Sequence, residues 1–352
     1  MLVSHRRSSR TPRMLASATA ALAVATGAGW LAMSTAGAAQ AADPSYNTLT
    51  TANNPDWMKS VADGTSLAAM SIPGTHETMA IHGGDAVQTQ ENHGDSGGTL
   101  AAQLKAGIRM IDIRLRINDG NSFTVHHGAV YQVANFSDVL NTLGGFLDQN
   151  PSEAVIIRIK HECTGETFSC KDADGQKSFE DIFDGYRNDN AAAKAHFWAP
   201  STDRATGAPT PTLGEIRGKI VLAVMNEKFG GPVGAYGLAQ FADWKDGSST
   251  YVQDEYNVPN PGAIATKRDK VRRHLDTTNS GAADKMYVNF TSGASAFAYP
   301  YNVAGGIVGQ QGVNPFLLGY LGEGAVTSRT GMIMMDYPGG GLIDKIISFN
   351  KK

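Results

Sequence analysis

Two histidine sites stand out because each follows an apolar stretch of the kind that forms a buried strand. The stretch Leu67–Ile72 closes with a Pro-Gly turn, and His76 and Glu77 come just after that turn. A second stretch, which begins at Phe123, ends at His127. Histidine titrates near neutral pH, so two histidines that meet at one end of a sheet can take a proton from one group and give a proton to another. The alternative is a pair of surface histidines in loops.

Charged residues interrupt other apolar stretches of the chain. Asp112 and Arg114 lie within Met110–Arg116, where a charge is costly unless it is paired. Arginine can hold the oxygens of a phosphate and carboxylates can fix the tautomer of an imidazole, so these residue types predict phosphodiester cleavage by acid–base catalysis. The alternative is a set of salt bridges that fill the interior of a barrel. Further polar residues that end or follow apolar stretches are Lys160, Asp254, Tyr256 and Asp336.

Apolar stretches that predict strands alternate with segments that predict helices. Such alternation is typical of a mostly parallel sheet with both faces covered, and eight strands suggest a closed barrel. We therefore expect the α/β class, with an irregular (β/α)8 TIM-type barrel in a single domain and an active site at the carboxyl ends of its strands. The candidate strands are Leu67–Ile72, Met110–Arg116, Phe123–His127, Ala154–Lys160, Lys219–Met225, Thr250–Asp254, Lys285–Phe290 and Met332–Asp336. The candidate helices are Phe136–Leu147, Lys177–Tyr186, Ala191–Trp198, Ala263–Thr277 and Pro315–Leu321.

One connection is too short for a crossover helix. Only Ile117–Ser122, which contains Asp-Gly, joins the second and third candidate strands, so we expect an antiparallel hairpin there. A hairpin folded about that dipeptide places His127 opposite Asp112, and strand alternation lets Arg114 and His127 point into one cavity. The barrel should be irregular at this point.

The first 41 residues differ in kind from the rest of the chain. Four arginines are followed by the Ala/Leu/Val-rich run Met14–Met33 and by Ala39-Gln40-Ala41. This order predicts a secretory signal peptide over residues 1–41, an extracellular location, and one catalytic domain over residues 42–352. An uncleaved membrane anchor is the alternative. The chain has only two cysteines, Cys163 and Cys170, and an exported protein with this pair is expected to form a disulfide.

The overall composition excludes nucleic acid as a partner. The formal net charge is -3, and no basic patch with interleaved aromatic residues occurs. Apolar residues make up 41% of the chain, which is the composition of an ordinary globular protein.

Several short motifs stand in order along the chain. They are SIPGTHE at Ser71–Glu77, DIRLRINDGNSFTVHHG at Asp112–Gly128, NPSE at Asn150–Glu153, VQDEY at Val252–Tyr256, MYVNFTS at Met286–Ser292 and MMDY at Met334–Tyr337. Together they resemble the bacterial phosphatidylinositol-specific phospholipase C family. The resemblance implies a distorted (β/α) barrel and a phospholipase C that converts phosphatidylinositol to diacylglycerol and a cyclic inositol phosphate.

The resemblance also implies a role for each site residue. His76 would be the general base for the inositol 2-hydroxyl, oriented by Asp336. His127, assisted by Glu77, would be the general acid for the diacylglycerol oxygen, and Arg114 would stabilise the phosphoryl oxygens. The residues that match inositol-binding positions are Lys160, Asp254 and Tyr256. The chain departs from the family pattern at Glu77, where the family usually has aspartate, and at Met225-Asn226, where the family carries an inositol-binding arginine.

We predict that the enzyme uses neither a metal nor another cofactor. The animal relatives bind calcium through carboxylates at the places of Arg114 and Lys160, which are cationic here, whereas calcium requires oxygen ligands. Calcium bound through Asp112, Glu162 and Glu77 remains the alternative.

The expected partner is phosphatidylinositol in a membrane, with transient contact between a monomeric protein and the membrane surface. The aromatic cluster Phe297, Tyr299, Pro300 and Tyr301 could make that contact, because aromatic rings with polar tips suit an interface. A packed, tyrosine-lined loop is the alternative. Two other functions are considered: a glycerophosphodiester phosphodiesterase, which would need metal-binding carboxylates at the place of Arg114, and an inactive barrel that binds inositol lipids.

Overall fold

The computed structural model describes residues 43–84, 96–167, 170–200, 210–225, 237–240 and 248–351. Residues 42–352 cluster as one compact unit. The predicted signal peptide, residues 1–41, lies outside the described residues. Within the described ranges, no helix combines the length and the apolar character that crossing a membrane requires.

The sheet is mostly parallel, and helices lie between most of its strands. The strands are β1 (Ser71–Thr75), β2 (Met110–Asn118), β3 (Ser122–His127), β4 (Val130–Asn135), β5 (Ala154–His161), β6 (Thr164–Thr167), β7 (Cys170–Lys171), β8 (Lys219–Met225), β9 (Val252–Gln253), β10 (Val288–Phe290), β11 (Gly306–Ile307), β12 (Gln310–Gln311) and β13 (Gly331–Met335). The helices are α1 (Ser96–Ala106), α2 (Phe136–Gln149), α3 (Phe179–Asp189), α4 (Leu213–Ile216), α5 (Ile264–Ser280), α6 (Pro300–Gly305), α7 (Val313–Gly322) and α8 (Gly340–Ser348).

Parallel ladders join the principal strands in the spatial order β8–β5–β2–β1–β13–β10–β9. This order brings the first and last strands of the chain, β1 and β13, side by side, as the closing of a barrel requires. Residues of β1, β2, β5 and β8 are buried almost without interruption, because strands covered on both faces exclude water from both. No ladder joins β8 to β9 within the described ranges, which leave out most of the chain between them.

The predicted hairpin forms, but its register differs from the prediction. The antiparallel ladder between β2 and β3 pairs Leu115 with Val125 and Asn118 with Ser122, so the loop has three residues, Asp119–Asn121. Both Gly120 and Asn121 have a positive φ, at 71° and 54°, which a loop of this length can require and which these residue types tolerate. The prediction that His127 lies opposite Asp112 was therefore wrong.

Two segments of the chain were assigned incorrectly. In Leu67–Ile72 the first residues form a 3-10 helix, Leu67–Ala69, and the strand begins only at Ser71. Ser66 caps that short helix, and a short apolar run cannot by its composition distinguish helix from strand. Ala191–Trp198 is a turn segment rather than a helix. The side chain of Asn190 accepts from the N–H groups of Ala192 and Ala193 as an N-cap would. The end of the segment, however, pairs with β8, where the N–H of Trp198 donates to the carbonyl of Ile220.

The helix α2 forms as its spacing predicts. Its apolar residues are buried at helical intervals, and Asn135 and Asp138 make a reciprocal capping box at its start. The elements β4, α1 and α8 were not predicted from the sequence. In β4 the polar Gln132 is buried while Val130, Tyr131 and Val133 are exposed, so hydrophobicity does not mark its buried face. Glycines at the start of α8 obscure its helix signal.

Candidate active site

One cavity of about 450 Å³ opens where the parallel strands end. Its lining includes every predicted site residue except Asp336, which lies behind His76. The residues divide into two groups according to how they are held in place. We call one the histidine wall, formed by His76, Glu77, Arg114 and His127, and the other the tyrosine wall, formed by Lys160, Asp254 and Tyr256.

His76 continues the line of β1 and is held by its neighbour β13. Its backbone N–H donates to the carbonyl of Met335 at 3.0 Å, and its Nδ1 lies 3.1 Å from Oδ1 of Asp336. The ring of Phe290 meets the imidazole edge-on, at 5.8 Å between centroids. Backbone, carboxylate and aromatic ring thus fix the orientation of the imidazole from three sides.

The contact between His76 and Arg114 fixes the tautomer of the imidazole. Nη2 of Arg114 lies 3.3 Å from Nε2 of His76, and a guanidinium has hydrogen-bond donors only. Nε2 must therefore carry a lone pair, and Nδ1 donates its proton to Asp336. Burial, followed by the charge of Arg114, lowers the pKa of His76 well below its ordinary value. The imidazole is neutral at neutral pH, with its basic nitrogen facing the cavity.

Asp336 is buried behind the imidazole. Burial raises the pKa of its carboxyl group above the usual value and the Glu77 carboxylate adds to the effect, whereas the hydrogen bond from Nδ1 of His76 favours the ionised form. Nδ2 of Asn314 donates to the carbonyl oxygens of Asp336 and Tyr337, at 2.9 and 3.2 Å. Tyr337 has a φ of 45°. The Asn314 amide thus fixes two successive backbone carbonyls at the bend where Asp336 contacts His76.

Glu77 connects the two histidines and the arginine. Its Oε2 lies 3.1 Å from Nε2 of His127, and its Oε1 lies 3.3 Å from Nη1 of Arg114 and 3.7 Å from Nε2 of His76. Its φ of 40° is in the left-handed region, which is uncommon for glutamate and typical of functional sites. The longer side chain that replaces the family's usual aspartate therefore reaches both His127 and Arg114.

Two carboxylates hold the side chain of Arg114 in place. Its Nε lies 3.2 Å from each oxygen of Asp112, its Nη2 lies 3.0 Å from Oδ2, and Nη1 lies 3.5 Å from Glu162. Burial opposes the charge of Asp112, but the guanidinium groups of Arg114 and Arg158 hold the pKa of that carboxyl well below its usual range. The fork of Arg114 is thereby fixed between His76 and Glu77.

The tyrosine wall is anchored mainly through its backbone. Asp254 accepts at its carbonyl from the N–H of Tyr256, at 3.1 Å, and the carbonyl of Tyr256 accepts from Ala294. The ring of Tyr256 is 58% exposed. Asp254 is buried, which raises the pKa of its carboxyl group to about 6 although Arg158 acts against the shift. Lys160 lies beside Arg114 in the β2–β5 ladder.

The predicted disulfide between Cys163 and Cys170 is present, and Cys170 lines the cavity. Glu162 was predicted only as an alternative calcium ligand, yet its side chain lines the cavity and accepts the N–H of Gly128, at 2.8 Å. Its signal was its position two residues after Lys160, which places both side chains on one face of β5 and its extension.

In the part of the chain that the structure describes, no three histidine, cysteine, aspartate or glutamate side chains are arranged to hold a metal ion. Metal independence stays a prediction.

The fold and the cavity define a class of protein: a parallel α/β barrel with paired histidines and an arginine at the strand ends, suited to acid–base chemistry at a phosphodiester. Comparison with known proteins narrows the class. Residues 70–226 match the family described as phosphatidylinositol-specific phospholipase C, X domain. A 1-phosphatidylinositol phosphodiesterase of Listeria monocytogenes is 30% identical over 326 residues, which cover 88% of this chain and 88% of that protein. The chain belongs to the bacterial phosphatidylinositol-specific phospholipase C family.

Other relatives agree with this assignment. A 1-phosphatidylinositol phosphodiesterase of Staphylococcus aureus is 28% identical over 84% of this chain and 94% of that protein. The solved phosphatidylinositol-specific phospholipase C of Listeria monocytogenes has a TM-score of 0.66 at 29% identity, covering 85% of this chain and 99% of that chain. A solved Staphylococcus aureus enzyme, studied for the modulation of its membrane binding, has a TM-score of 0.66 at 26% identity, covering 87% and 100%. These neighbours are TIM-type barrels, so the predicted fold class is confirmed.

Proposed function

We propose that this protein is a phospholipase C that cleaves phosphatidylinositol to diacylglycerol and a cyclic inositol phosphate by metal-independent acid–base catalysis. The observation that carries the proposal is the convergence of His76, Arg114 and the His127–Glu77 pair on one cavity, within direct contact of one another. Family membership and the names of the relatives support the same substrate.

The first step is attack by the inositol 2-hydroxyl on phosphorus. Nε2 of His76 takes the hydroxyl proton, and a new P–O bond forms to the inositol oxygen. Asp336 accepts a hydrogen bond from Nδ1 throughout, and its negative charge stabilises the imidazolium that forms. Arg114 lies 3.3 Å from the same Nε2, so its fork can bind the non-bridging oxygens on which negative charge grows.

The same step breaks the bond from phosphorus to the glycerol oxygen. The proton held between His127 and Glu77 passes to that oxygen, which leaves as the hydroxyl of diacylglycerol. The five-membered cyclic phosphodiester remains. Slow hydrolysis follows when water enters in place of diacylglycerol and the two histidines exchange roles.

The tyrosine wall binds the inositol ring. The exposed face of Tyr256 can stack on the ring, while Asp254 and Lys160 can bond its hydroxyl groups. The cationic Arg114 and Lys160 occupy the region where a bound calcium ion would need oxygen ligands, which favours a metal-free site.

The aromatic cluster provides the membrane contact. Phe297 is 77% exposed and follows closely after Ala294, which lines the cavity. Tyr299 and Tyr301 are also exposed, although Tyr301 packs edge-on against Tyr46 and Tyr337, and Pro300 is buried. An exposed aromatic side chain beside the mouth can enter the lipid interface while the cavity receives the head group. The protein acts as a monomer that is exported by its signal peptide, residues 1–41, and meets the membrane transiently.

The proposal is tested with the purified protein and phosphatidylinositol vesicles in excess chelator, followed by phosphorus NMR. A cyclic inositol phosphate signal is the expected result. Activity that appears only after calcium is added would overturn the metal-free mechanism. Vesicle binding without any phosphorus product would instead indicate an inactive lipid-binding barrel.

A further inference from the structure

A buried lysine that contacts both sequence neighbours of Asp254 has no role in the mechanism above. Lys267 of α5 is 2% exposed, although lysine is almost never fully buried without partners. Its ammonium donates to Oε1 of Gln253 at 3.2 Å and to the carbonyl of Glu255 at 3.0 Å. Both acceptors are uncharged, so the cost of burying the ammonium is only partly offset by these two bonds.

The two acceptors flank Asp254 in the sequence. Gln253 also donates to Oδ1 of Asn289 and to the carbonyl of Phe290, both at 2.8 Å, and it accepts the N–H of Glu255. One ammonium therefore binds the side-chain amide of the residue before Asp254 and the backbone carbonyl of the residue after it. Through Gln253 it also reaches β10, whose Phe290 packs on His76.

The charge of Lys267 also affects the ionisation of Asp254. Burial lowers the pKa of Lys267 to about 8, while the carboxylates of Asp254, Asp336 and Glu255 oppose that shift and Lys270 adds to it. In return, the ammonium is one of the cations that limit the rise in the pKa of Asp254. Because charge interactions are strong in a buried environment, Lys267 favours the ionised form of Asp254.

We propose that Lys267 is a positioning residue for head-group binding, which holds Asp254 and Tyr256 at the cavity through its contacts with Gln253 and Glu255. This inference rests on the proposed function. Lys267 does not touch the substrate itself. Its effect should therefore appear mainly in the KM for phosphatidylinositol and in the binding of free inositol, rather than in the chemical step.

The main test compares Lys267→Met with Lys270→Gln. Lys270 lies on the same helix but pairs with the partly exposed carboxylate of Glu255, so its loss should change little. We expect Lys267→Met to raise the KM and the inhibition constant of myo-inositol by about ten-fold, with kcat changed by less than about three-fold. Lys267→Arg, which keeps the charge and the donors, should restore much of the affinity.

Thermal melting separates positioning from general support of the fold. A purely structural lysine would lower the melting temperature and the amount of active enzyme, but not the KM of the fraction that remains folded. Unchanged KM and inositol inhibition in folded Lys267→Met would overturn the proposal. An equal change in Lys270→Gln would also overturn it, because the effect would then belong to the helix surface.

A second variant keeps the proposal testable if Lys267→Met does not fold. Lys267→Gln keeps an N–H donor, but its shorter side chain cannot reach both Gln253 and the carbonyl of Glu255, so its KM and its inhibition constant for myo-inositol should rise by several-fold. Unchanged values in folded Lys267→Gln contradict the inference. Failure of the proposed function would look different, because the wild-type enzyme would then release no cyclic phosphate at any pH.

Discussion

The two walls of the cavity are built in different ways. In the histidine wall, side chains contact side chains: Arg114 touches His76 and Glu77, and Glu77 touches His127. In the tyrosine wall, the backbone is held while Tyr256 extends a largely exposed ring into the opening. The histidine wall is fixed before any substrate arrives, and the tyrosine wall presents surfaces that a ligand can cover.

This difference has a physical reason. Proton transfer and charge stabilisation depend on distances of a fraction of an ångström, so their groups must be held by packing and hydrogen bonds. Binding a polar ring mainly requires accessible surface and a few correctly placed polar groups. We therefore expect substitutions in the histidine wall to lower kcat and substitutions in the tyrosine wall to raise KM.

The largest effect is expected from removing either histidine. His76→Ala removes the base and His127→Ala removes the acid, and each should lower kcat by about 10³-fold or more while the fold is kept. Initial rates of diacylglycerol release measure the effect, and circular dichroism checks the fold. A wild-type rate in either variant would remove that histidine from the mechanism.

Asp336→Asn should have the next largest effect. An amide at this position can donate to Nδ1 of His76 and so favour the wrong tautomer, with Nε2 protonated. We expect kcat to fall by about 10²-fold with KM nearly unchanged. If instead KM rose while kcat stayed constant, Asp336 would belong functionally to the tyrosine wall.

Tyr256→Ala tests the tyrosine wall. Losing the exposed ring should raise KM by about ten-fold and change kcat little, because the histidine wall remains intact. Tyr256→Phe is the matched control, since it keeps the ring and removes only the hydroxyl. A large loss of kcat in Tyr256→Ala would show that the two walls are not separable.

Smaller effects are expected from a change of pH, which should distinguish the protonation of Asp254 in the tyrosine wall from that of His76 in the histidine wall. The pKa of Asp254 is raised to about 6, so as the pH falls through about 6 the carboxyl group gains a proton and kcat/KM should decline by several-fold. The pKa of His76 lies well below the usual value, so the loss of the base should begin only at lower pH. Asp254→Asn should remove the first decline and keep the second. A single decline that Asp254→Asn does not alter would contradict this assignment.

The smallest effect on catalysis is expected from the disulfide. Replacing both Cys163 and Cys170 with serine opens a loop with a sequence separation of 7 residues, which should lower the free energy of unfolding by about 2 kcal/mol. Cys170 borders the cavity, but the neighbouring Glu162 keeps its own bond to Gly128. We expect kcat/KM to change by less than about three-fold, as measured beside a denaturant titration. A loss comparable to that of a histidine would mean that the disulfide positions the histidine wall.

Much of the fold followed from local patterns in the sequence. The apolar runs of β2, β5 and β8 and the helical spacing of α2 are set by neighbours a few residues apart, and these elements were predicted closely. Errors arose where the local signal was short or polar. Examples are the turn segment at Ala191–Trp198 and the three-residue hairpin loop that changes the register of β3.

The sequence by itself determined the residue types of the site, their order at the strand ends and, through the motifs, the family. It did not determine which groups meet. His76 and Asp336 are 260 positions apart, and Lys267 reaches Gln253 only because α5 folds back under β9. Local periodicity fixes which face of a strand or helix a side chain occupies. The pairing of β1 with β13 then decides which distant side chains that side chain meets. The folded chain therefore decides that Glu77 lies between His127 and Arg114, and that the ammonium of Lys267 contacts both neighbours of Asp254.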